Sequence, residues 1–269
     1  MLVLLSAALV SGASAADLMT PLPAPELRPT IDEFGSGFYL RGDIGLSTQG
    51  VGRLTDSLNA LGTIEKINLD FASAPFVGVG FGQQFNRWVR GDVTAEYRGK
   101  ATFLGLDRYR DGSLPLGYGT NEYTATKREL VFLANGYTDL GTFYGITPFV
   151  GAGIGTSYNT IDNFKDTNTV TQGVAYAKSN SKLNLAWALY AGLAYDVTPN
   201  LKLEFAYRYL NLGDAKTGSI YTYDGRCALS GCDTATFKSI DSHDVKVGAR
   251  WLLGAPARGA EFEPLVRKY

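Results

Sequence analysis

The single histidine of the chain stands between a serine and an aspartate, as Ser242-His243-Asp244. A serine nucleophile, an imidazole base and an orienting carboxylate are the three groups of a hydrolytic triad. In an extended chain, however, neighbouring side chains point to opposite faces, so these three residues cannot meet by adjacency. We therefore interpret His243 as a solvated residue at the start of a strand, and we predict no catalytic residues.

The two cysteines, Cys227 and Cys232, lie close together in the segment RCALSGCD. In an exported protein this spacing favours a disulfide, which would stiffen the tip of a loop. A metal site would need more ligands nearby than the single histidine can provide. We predict a Cys227–Cys232 disulfide, no metal and no cofactor.

Two glycine-rich stretches, GVGFG (78–82) and GAGIG (151–155), superficially resemble nucleotide-binding loops. The dinucleotide fingerprint needs G-x-G-x-x-G before a helix, whereas these glycines alternate strictly, as in a strand. Our hypothesis is that they face a barrel interior and make room for long side chains from opposing strands.

The carboxylates Asp92 and Glu96 resemble the acid and base of a catalytic pair. Nearby basic residues, however, make structural ion pairing the better interpretation of these carboxylates.

The stretch LKLEFAYRYLNLG (201–213) identifies the elements that must position these residues. Its apolar and charged residues alternate with a period of two, which is typical of a β-strand. The sequence holds eight segments of strand character, at residues 37–47, 74–84, 88–99, 127–139, 147–157, 182–196, 201–213 and 241–253.

The connections between these segments alternate in length. Long gaps cover residues 48–73, 100–126, 158–181 and 214–240, and short ones cover 85–87, 140–146 and 197–200. This rhythm is typical of an outer-membrane barrel with short periplasmic turns and long extracellular loops. We predict an all-β, eight-stranded antiparallel transmembrane barrel over residues 37–253, with both ends of the barrel domain at the periplasmic side.

The alternation also predicts which residues face inward. The charged set assigned to the interior comprises Arg41, Asp43, Arg90, Asp92, Glu96, Arg98, Glu129, Asp196, Lys202, Glu204, Arg208, Lys246 and Arg250. The aromatic residues assigned to the lipid face and its girdles are Trp88, Tyr97, Trp187, Tyr195, Phe205, Tyr207 and Trp251. The alternative is a soluble, lipocalin-like barrel, in which the apolar face would line the interior around a small ligand.

The ends of the chain have a different character. The apolar run that ends in Ala13-Ser14-Ala15 predicts a signal peptide over residues 1–15 and therefore export. Residues 16–36 and 254–269 lack a strand pattern, and we interpret them as a Pro-rich periplasmic linker and a periplasmic tail. The formal net charge of −1 argues against a nucleic-acid partner.

Several segments together carry a family resemblance: FYLRGDIG (38–45), ITPFVGAGIG (146–155), LAWALYAGLAYDV (185–197), TPNLKLEFAYRYLNLG (198–213), HDVKVGARW (243–251) and the leader ADLMTPLPAPELRP (16–29). The chain resembles the alphaproteobacterial outer-membrane β-barrel family, related to opacity-type, porin-like surface antigens. The resemblance implies an eight-stranded barrel with variable surface loops. It departs from the family at its end, where GAPARGAEFEPLVRKY follows the last strand.

These observations lead to a functional expectation. We predict an integral protein of the Gram-negative outer membrane with a role in envelope integrity and in surface interaction through its loops. The alternatives are a narrow channel for small solutes and, third, a lipid-modifying enzyme. Expected partners are outer-membrane lipid and lipopolysaccharide, the barrel-assembly machinery and periplasmic chaperones, and host, phage or envelope proteins at the loops.

Overall fold

The computed structural model describes residues 37–55, 63–227 and 233–253. All of these residues belong to a single compact unit of the chain. They form the strands β1 (Gly37–Thr55), β2 (Thr63–Gln84), β3 (Val89–Arg110), β4 (Tyr118–Asp139), β5 (Ile146–Asn168), β6 (Val174–Ala177), β7 (Asn180–Asp196), β8 (Leu201–Lys216), β9 (Ile220–Thr222) and β10 (Thr236–Leu252). The predicted signal peptide, linker and tail lie outside the described residues.

Eight of these strands form a closed antiparallel ring. Its order is β1-β2-β3-β4-β5-β7-β8-β10, and β10 pairs again with β1. The short strands β6 and β9 continue from β5 outside the ring. Closure satisfies the backbone hydrogen bonds without an open edge, and the predicted eight-stranded barrel is confirmed. None of the described residues forms a helix long and apolar enough to cross a membrane.

The two ends of the barrel differ in their connections. We call the end with the connections at residues 85–88, 140–145 and 197–200 the turn end, and the opposite one the hairpin end. At the turn end, the Asn86 side chain accepts hydrogen bonds from the backbone N–H groups of Trp88 and Val89, at 2.8 and 2.9 Å. Such side chain-to-backbone bonds explain why short polar segments suffice to reverse the chain there.

The strands extend much farther toward the hairpin end than the sequence predicts. β2, β3 and β4 are each 22 residues long. At about 3.3 Å per residue and a tilt of about 40°, such a strand rises roughly 55 Å, about twice the ~25 Å apolar band of an outer-membrane barrel. The predicted long loops are therefore wrong in extent: residues 48–55, 63–73, 100–110, 118–126 and 158–168 are strand, and the β3–β4 connection is only residues 111–117.

The two faces of the wall have opposite character near the turn end. Ile44, Phe205 and Val247 point outward and are 64%, 56% and 48% exposed, whereas Arg98 and Arg208 are fully buried. An apolar exterior around a charged interior is the reverse of a soluble barrel. The lipocalin-like alternative is wrong for this part of the chain.

This pattern inverts toward the hairpin end. There Phe71, Phe103 and Phe237 point inward and are at most 3% exposed, while Thr102 and Thr124 lie on the exposed outer surface. Bulges shift the alternation at several places, such as between Arg98 and Ala101 on β3. The wall therefore resembles a membrane barrel at one end and a water-soluble barrel at the other.

Candidate functional site

The barrel interior near the turn end is filled by charged side chains. We call this set the ionic network, and its members are Arg41, Asp43, Arg90, Asp92, Glu96, Arg98, Lys127, Glu129, Asp139, Glu204, Arg208, Asp244, Lys246 and Arg250. Each lies on a strand at an inward position, and each forms at least one ion pair with another member. Charges removed from water in this way need such partners, because an unpaired buried charge is strongly unfavourable.

Glu204 on β8 is the central anion of the lower part of the network. Its carboxylate oxygens lie 3.2 Å from Nη2 of Arg41, 3.3 Å from Nη2 of Arg90 and 3.0 Å from Nε of Arg250. Arg41 also donates to Asp92 at 2.8 Å. These arginines come from β1, β3 and β10, so a single carboxylate joins strands that lie far apart in sequence.

Arg208 and Arg98 organise the next layer. Arg208 on β8 donates to both oxygens of Glu96 on β3, at 2.6 and 2.7 Å. Both arginines converge on Asp244 of β10, with ion-pair distances of 2.6 and 2.8 Å. Paired N–H donors directed at one carboxylate are among the strongest polar contacts in proteins. Arg208 and Glu96 lie on opposite sides of the ring, and their contact therefore obstructs the interior.

Aromatic rings fill much of the remaining space between the guanidinium groups. The guanidinium of Arg90 lies 4.1 Å from the ring centre of Tyr137 and 4.7 Å from that of Phe149. Arg98 and Arg208 both stack on Phe76, at 5.0 and 5.1 Å. Cation–π contacts of this kind are stronger where water is excluded.

The alternating glycines create the room for these side chains, as the sequence hypothesis proposed. A Cβ on Gly80 would lie 2.8 Å from Cγ of Arg41, and one on Gly82 would lie 2.4 Å from Cζ of Tyr39. A Cβ on Gly151 would lie 2.4 Å from Cδ1 of Tyr137. The large side chains come from neighbouring strands, not from opposing ones, and the hypothesis is corrected on that point.

Above the ionic network the interior is closed by an apolar plug. We define the plug by the buried residues Leu54, Phe71, Phe103, Tyr123, Ile161, Phe164, Phe237 and Ile240. The ring centres of Phe103 and Phe237 are 4.9 Å apart, and those of Phe71 and Phe103 are 5.2 Å apart. Lys127 joins the two zones, because it pairs with Glu129 and its Nζ lies 5.1 Å from the ring centre of Phe71.

Sequence reasoning found most but not all of the interior charges. Of the predicted set, Lys202 and Asp196 lie instead at the turn-end mouth, where Lys202 is partly exposed and pairs with Asp196 at 2.6 Å. Within the ionic network, the prediction missed Lys127, Asp139 and Asp244. The period-two signal could have found them, since the first two are in phase with Glu129 and Asp244 is in phase with Lys246.

The structure places the predicted girdle residues on the outer wall. Trp88, Tyr97, Trp187, Tyr195, Phe205, Tyr207 and Trp251 are between 40% and 56% exposed. Trp88, Tyr195 and Trp251 lie near the turn end, and Tyr97, Trp187 and Tyr207 lie nearer the hairpin end. Two levels of aromatic residues on either side of an apolar band are typical of bilayer interfaces.

The residues around His243 lie on opposite sides of the wall. Ser242 and Asp244 are buried inside, where both accept hydrogen bonds from Arg98. His243 points outward, with Nδ1 2.6 Å from the Tyr207 hydroxyl and Nε2 4.0 Å from a carboxylate oxygen of Asp241. The three consecutive residues therefore form no triad.

A small cavity of about 260 Å³ opens at the turn end. Gln84, Arg87, Trp88, Asp139 and Lys202 contribute to its lining, together with Thr142 and Thr147. Asp139 belongs to the ionic network and closes the inner wall of this cavity, where Arg90 donates to it at 3.1 Å. The cavity is thus a shallow mouth that ends at the network.

Two connections at the hairpin end, residues 111–117 and 169–173, are described and short. In the β3–β4 connection, the Ser113 hydroxyl and N–H donate to the Asp111 carboxylate, at 2.6 and 2.9 Å. These bonds lower the pKa of Asp111 below its ordinary value. Cys227, which follows β9, is disulfide-bonded. Cys232 lies outside the described residues, so its pairing with Cys227 stays a prediction.

Comparison with known proteins agrees with this architecture. The outer membrane protein beta-barrel domain family matches residues 2–251. An uncharacterised protein of Brucella abortus is 31% identical, over 90% of this chain and 93% of its own length. Outer membrane protein PagN of Salmonella typhimurium is 26% identical, over 66% of this chain and 75% of PagN. A protein of Rickettsia prowazekii named "Putative adhesin" is 28% identical, over 65% of this chain and 72% of the relative.

Solved structures with weaker sequence similarity include a neisserial surface protein and an outer membrane protein of Pseudomonas aeruginosa. Neisserial surface protein A has a TM-score of 0.42 and 17% identity, over 81% of this chain and 98% of that one. OprG of Pseudomonas aeruginosa has a TM-score of 0.47 and 15% identity, over 82% of this chain and 97% of that one. On the family match and the Brucella relative, this chain belongs to the outer membrane protein beta-barrel family, and its place is the outer membrane of a Gram-negative bacterium.

Proposed function

We propose that this barrel is a surface-contact protein that stays closed to solutes, contributes to envelope integrity and presents its hairpin end to the cell exterior. The observation that carries the proposal is the filled interior. The Arg208–Glu96 contact, which is part of the ionic network, obstructs the interior, and the apolar plug lies above it. A barrel whose interior is closed to solutes can act only through contacts at its outer wall and at its two ends.

The exposed side chains at the hairpin end support a role in contact. Leu116 is 74% and Tyr223 is 86% exposed. Arg108 stacks on Tyr118 at 4.6 Å, and Lys178 lies 5.7 Å from the ring centre of Tyr221. Exposed tyrosines and arginines are enriched where proteins bind one another. The name of the Rickettsia relative agrees with such a role.

Several partners are part of the same proposal. The apolar outer wall contacts outer-membrane lipid and lipopolysaccharide, and assembly uses the barrel-assembly machinery with periplasmic chaperones. Host, phage or envelope proteins bind at the hairpin end. A Cys227–Cys232 disulfide would restrain the segment after β9, outside the ring, where it would stiffen the contact surface more than the barrel.

Electrical conductance tests whether the interior is closed. The refolded full chain is inserted into planar bilayers, and its folding is checked by heat-modifiable gel migration. We expect no stable current steps from the wild type, because side chains from opposite strands meet in the interior. Large, stable steps would contradict the proposal and would favour the narrow channel.

Attachment to host cells tests the contact role separately. The chain is displayed on a non-adherent bacterium, and the bacteria bound to cultured cells are counted. Display of the wild type should increase attachment several-fold, and Tyr118→Ser with Tyr223→Ser should abolish most of that increase. The matched control is Trp88→Ser at the turn end, which should attach like the wild type. Attachment equal to that of bacteria without the barrel would reject the host-contact role.

A further inference from the structure

One sector of the outer wall combines a row of aromatic and apolar residues with cations at the next level toward the hairpin end. Tyr97 on β3, Leu130 on β4 and Tyr158 on β5 are register neighbours, and they are 48%, 41% and 43% exposed. They form a row at the hairpin-end edge of the apolar band, below which Phe132 and Ile154 are also exposed. This row marks the level where a bilayer's acyl chains give way to its headgroups.

Two cations lie directly above this row. The register between β3 and β4 shifts between Arg98 and Ala101, both of which point inward. The extra residue of this bulge leaves Lys100 on the exposed outer side, opposite Arg128 of β4. Bulges commonly redirect a side chain in this way. Lys100 and Arg128 therefore stand side by side on the outer wall.

The charge of the pair is only partly neutralised. Arg128 forms an ion pair with Asp162 of β5 at 2.7 Å, and its side chain stays 43% exposed. Lys100 forms no ion pair with any residue in the described ranges 37–55, 63–227 and 233–253. Next to Arg128, the hydroxyl of Thr160 lies 2.9 Å from that of Ser181. The sector thus carries net positive charge with hydroxyl groups beside it.

We propose that Lys100 and Arg128 form a docking site for the phosphate-bearing headgroup of a glycolipid of the outer leaflet, namely lipopolysaccharide. Its acyl chains lie over Tyr97, Leu130 and Tyr158, and its phosphate accepts hydrogen bonds from the ammonium and the guanidinium. Both contacts are charge-assisted, and arginine and lysine are suited to phosphate. The inference rests on the proposed function, including the outward orientation of the hairpin end, and deepens it by assigning the lipopolysaccharide contact of the outer wall to two named residues.

Charge complementarity and position together favour this occupant over other lipids. A phosphate monoester has more negative charge and more free oxygen atoms than a phosphodiester lipid, so a sector of net positive charge with two N–H-bearing cations attracts the monoester more strongly. The aromatic row and the apolar band below it match acyl chains, which a free phosphate ion lacks. Selectivity for phosphorylated lipid A over an anionic phospholipid therefore distinguishes binding at this site from a general attraction to anionic lipid.

The test is lipid binding by the full chain in nanodiscs. Wild type and variants are refolded into phosphatidylcholine discs doped with phosphorylated lipid A, with dephosphorylated lipid A or with phosphatidylglycerol, and bound lipid is counted by native mass spectrometry. Lys100→Gln with Arg128→Gln should bind phosphorylated lipid A about tenfold more weakly than the wild type, since two charge-assisted contacts are lost. Lys100→Gln alone should weaken binding less than the double variant. Because this single variant keeps the Arg128–Asp162 ion pair, its weaker binding cannot be attributed to loss of that pair.

The matched control is Arg87→Gln, which removes an exposed cation that lies 5.1 Å from the ring centre of Trp88 at the turn end. It should bind phosphorylated lipid A like the wild type. Unchanged binding by the double variant, equal loss in Arg87→Gln, or equal competition by phosphatidylglycerol or inorganic phosphate would each overturn the site. Conductance does not depend on Lys100, so failure of this site and failure of the closed barrel are distinguishable.

Discussion

Arg208 of β8 and Glu96 of β3 form a two-point contact across the barrel, with N–O distances of 2.6 and 2.7 Å, although 112 residues separate them in sequence. In the ring order, β3 and β8 are four strands apart and face each other. The contact therefore braces the wall across the interior. Both side chains are almost wholly buried, so neither has water as an alternative partner.

Removal of one partner of this contact should destabilise the barrel strongly. Arg208→Met leaves Glu96 buried without its main cation, and breaking a buried pair from one side typically lowers the free energy of unfolding by about 3–5 kcal/mol. The double variant Arg208→Met with Glu96→Gln should be less destabilised than the sum of the single variants. Urea unfolding in lipid vesicles, followed by tryptophan fluorescence, measures all three. Arg87→Met, an exposed change at the turn end, should stay within about 0.5 kcal/mol of the wild type, and a fully stable Arg208→Met would refute the bracing role.

Arginine substitutions should report which face of β8 meets lipid. Phe205 is 56% exposed on the outer wall and Ala206 is 2% exposed inside. Phe205→Arg should lower the free energy of unfolding by about 2–4 kcal/mol if it lies near the bilayer midplane. Ala206→Arg should prevent folding altogether, because a Cβ on the adjacent Gly192 would already lie 2.9 Å from the Cβ of Ala206.

Heat-modifiable migration and urea unfolding in vesicles measure both substitutions. Thr102→Arg, on the exposed surface beyond the apolar band, is the control and should change stability by less than about 0.5 kcal/mol. Equal tolerance of arginine at Phe205 and Ala206 would contradict the assignment of the two faces.

Two glycines on the neighbouring strands β4 and β5 should respond differently to a methyl group. A Cβ on Gly155 of β5 would lie 1.9 Å from the backbone carbonyl oxygen of Phe132, which cannot move without disturbing the ladder. Gly155→Ala should therefore destabilise by about 1–3 kcal/mol or more. A Cβ on Gly136 of β4 meets no atom within 4 Å, and Gly136→Ala should be neutral or stabilise by up to about 1 kcal/mol through the unfolded chain. The same unfolding assay compares them, and similar effects at both sites would count against the close approach of β4 and β5.

The ring and its two faces were predictable because the period-two pattern is strong near the turn end. On β8, Leu203, Phe205 and Tyr207 alternate with Glu204, Ala206 and Arg208, and a wall between lipid and a charged interior rewards that order. The prediction of the interior charges follows from the same pattern. Its three omissions within the ionic network, Lys127, Asp139 and Asp244, reflect incomplete use of the alternation and not a missing signal.

The upper halves of the strands were not found because the alternation there changes sign. On β4, Tyr123 and Ala125 are buried while Thr124 is exposed, which is the opposite of the pattern below. A bulge at Lys100 and non-glycine residues of positive φ at Asn163 and Ser239 further interrupt the phase. Our strand prediction relied on an apolar outward face, and this pattern ends at these points. The residues beyond them were therefore predicted as loops.

The ionic network also couples the closure of the ring, where β10 pairs with β1, to the neutralisation of the interior charges. Within the network, β1, β3 and β4 supply four cations and five carboxylates, whereas β8 and β10 supply three cations and two carboxylates. Each part alone therefore has one uncompensated charge of opposite sign, and only their union is electrically neutral. If β1 and β10 met one residue out of register, the charges of one strand would face acyl chains. Closure in the correct register is therefore favoured electrostatically, because the in-register ring is the arrangement in which the interior charges neutralise one another.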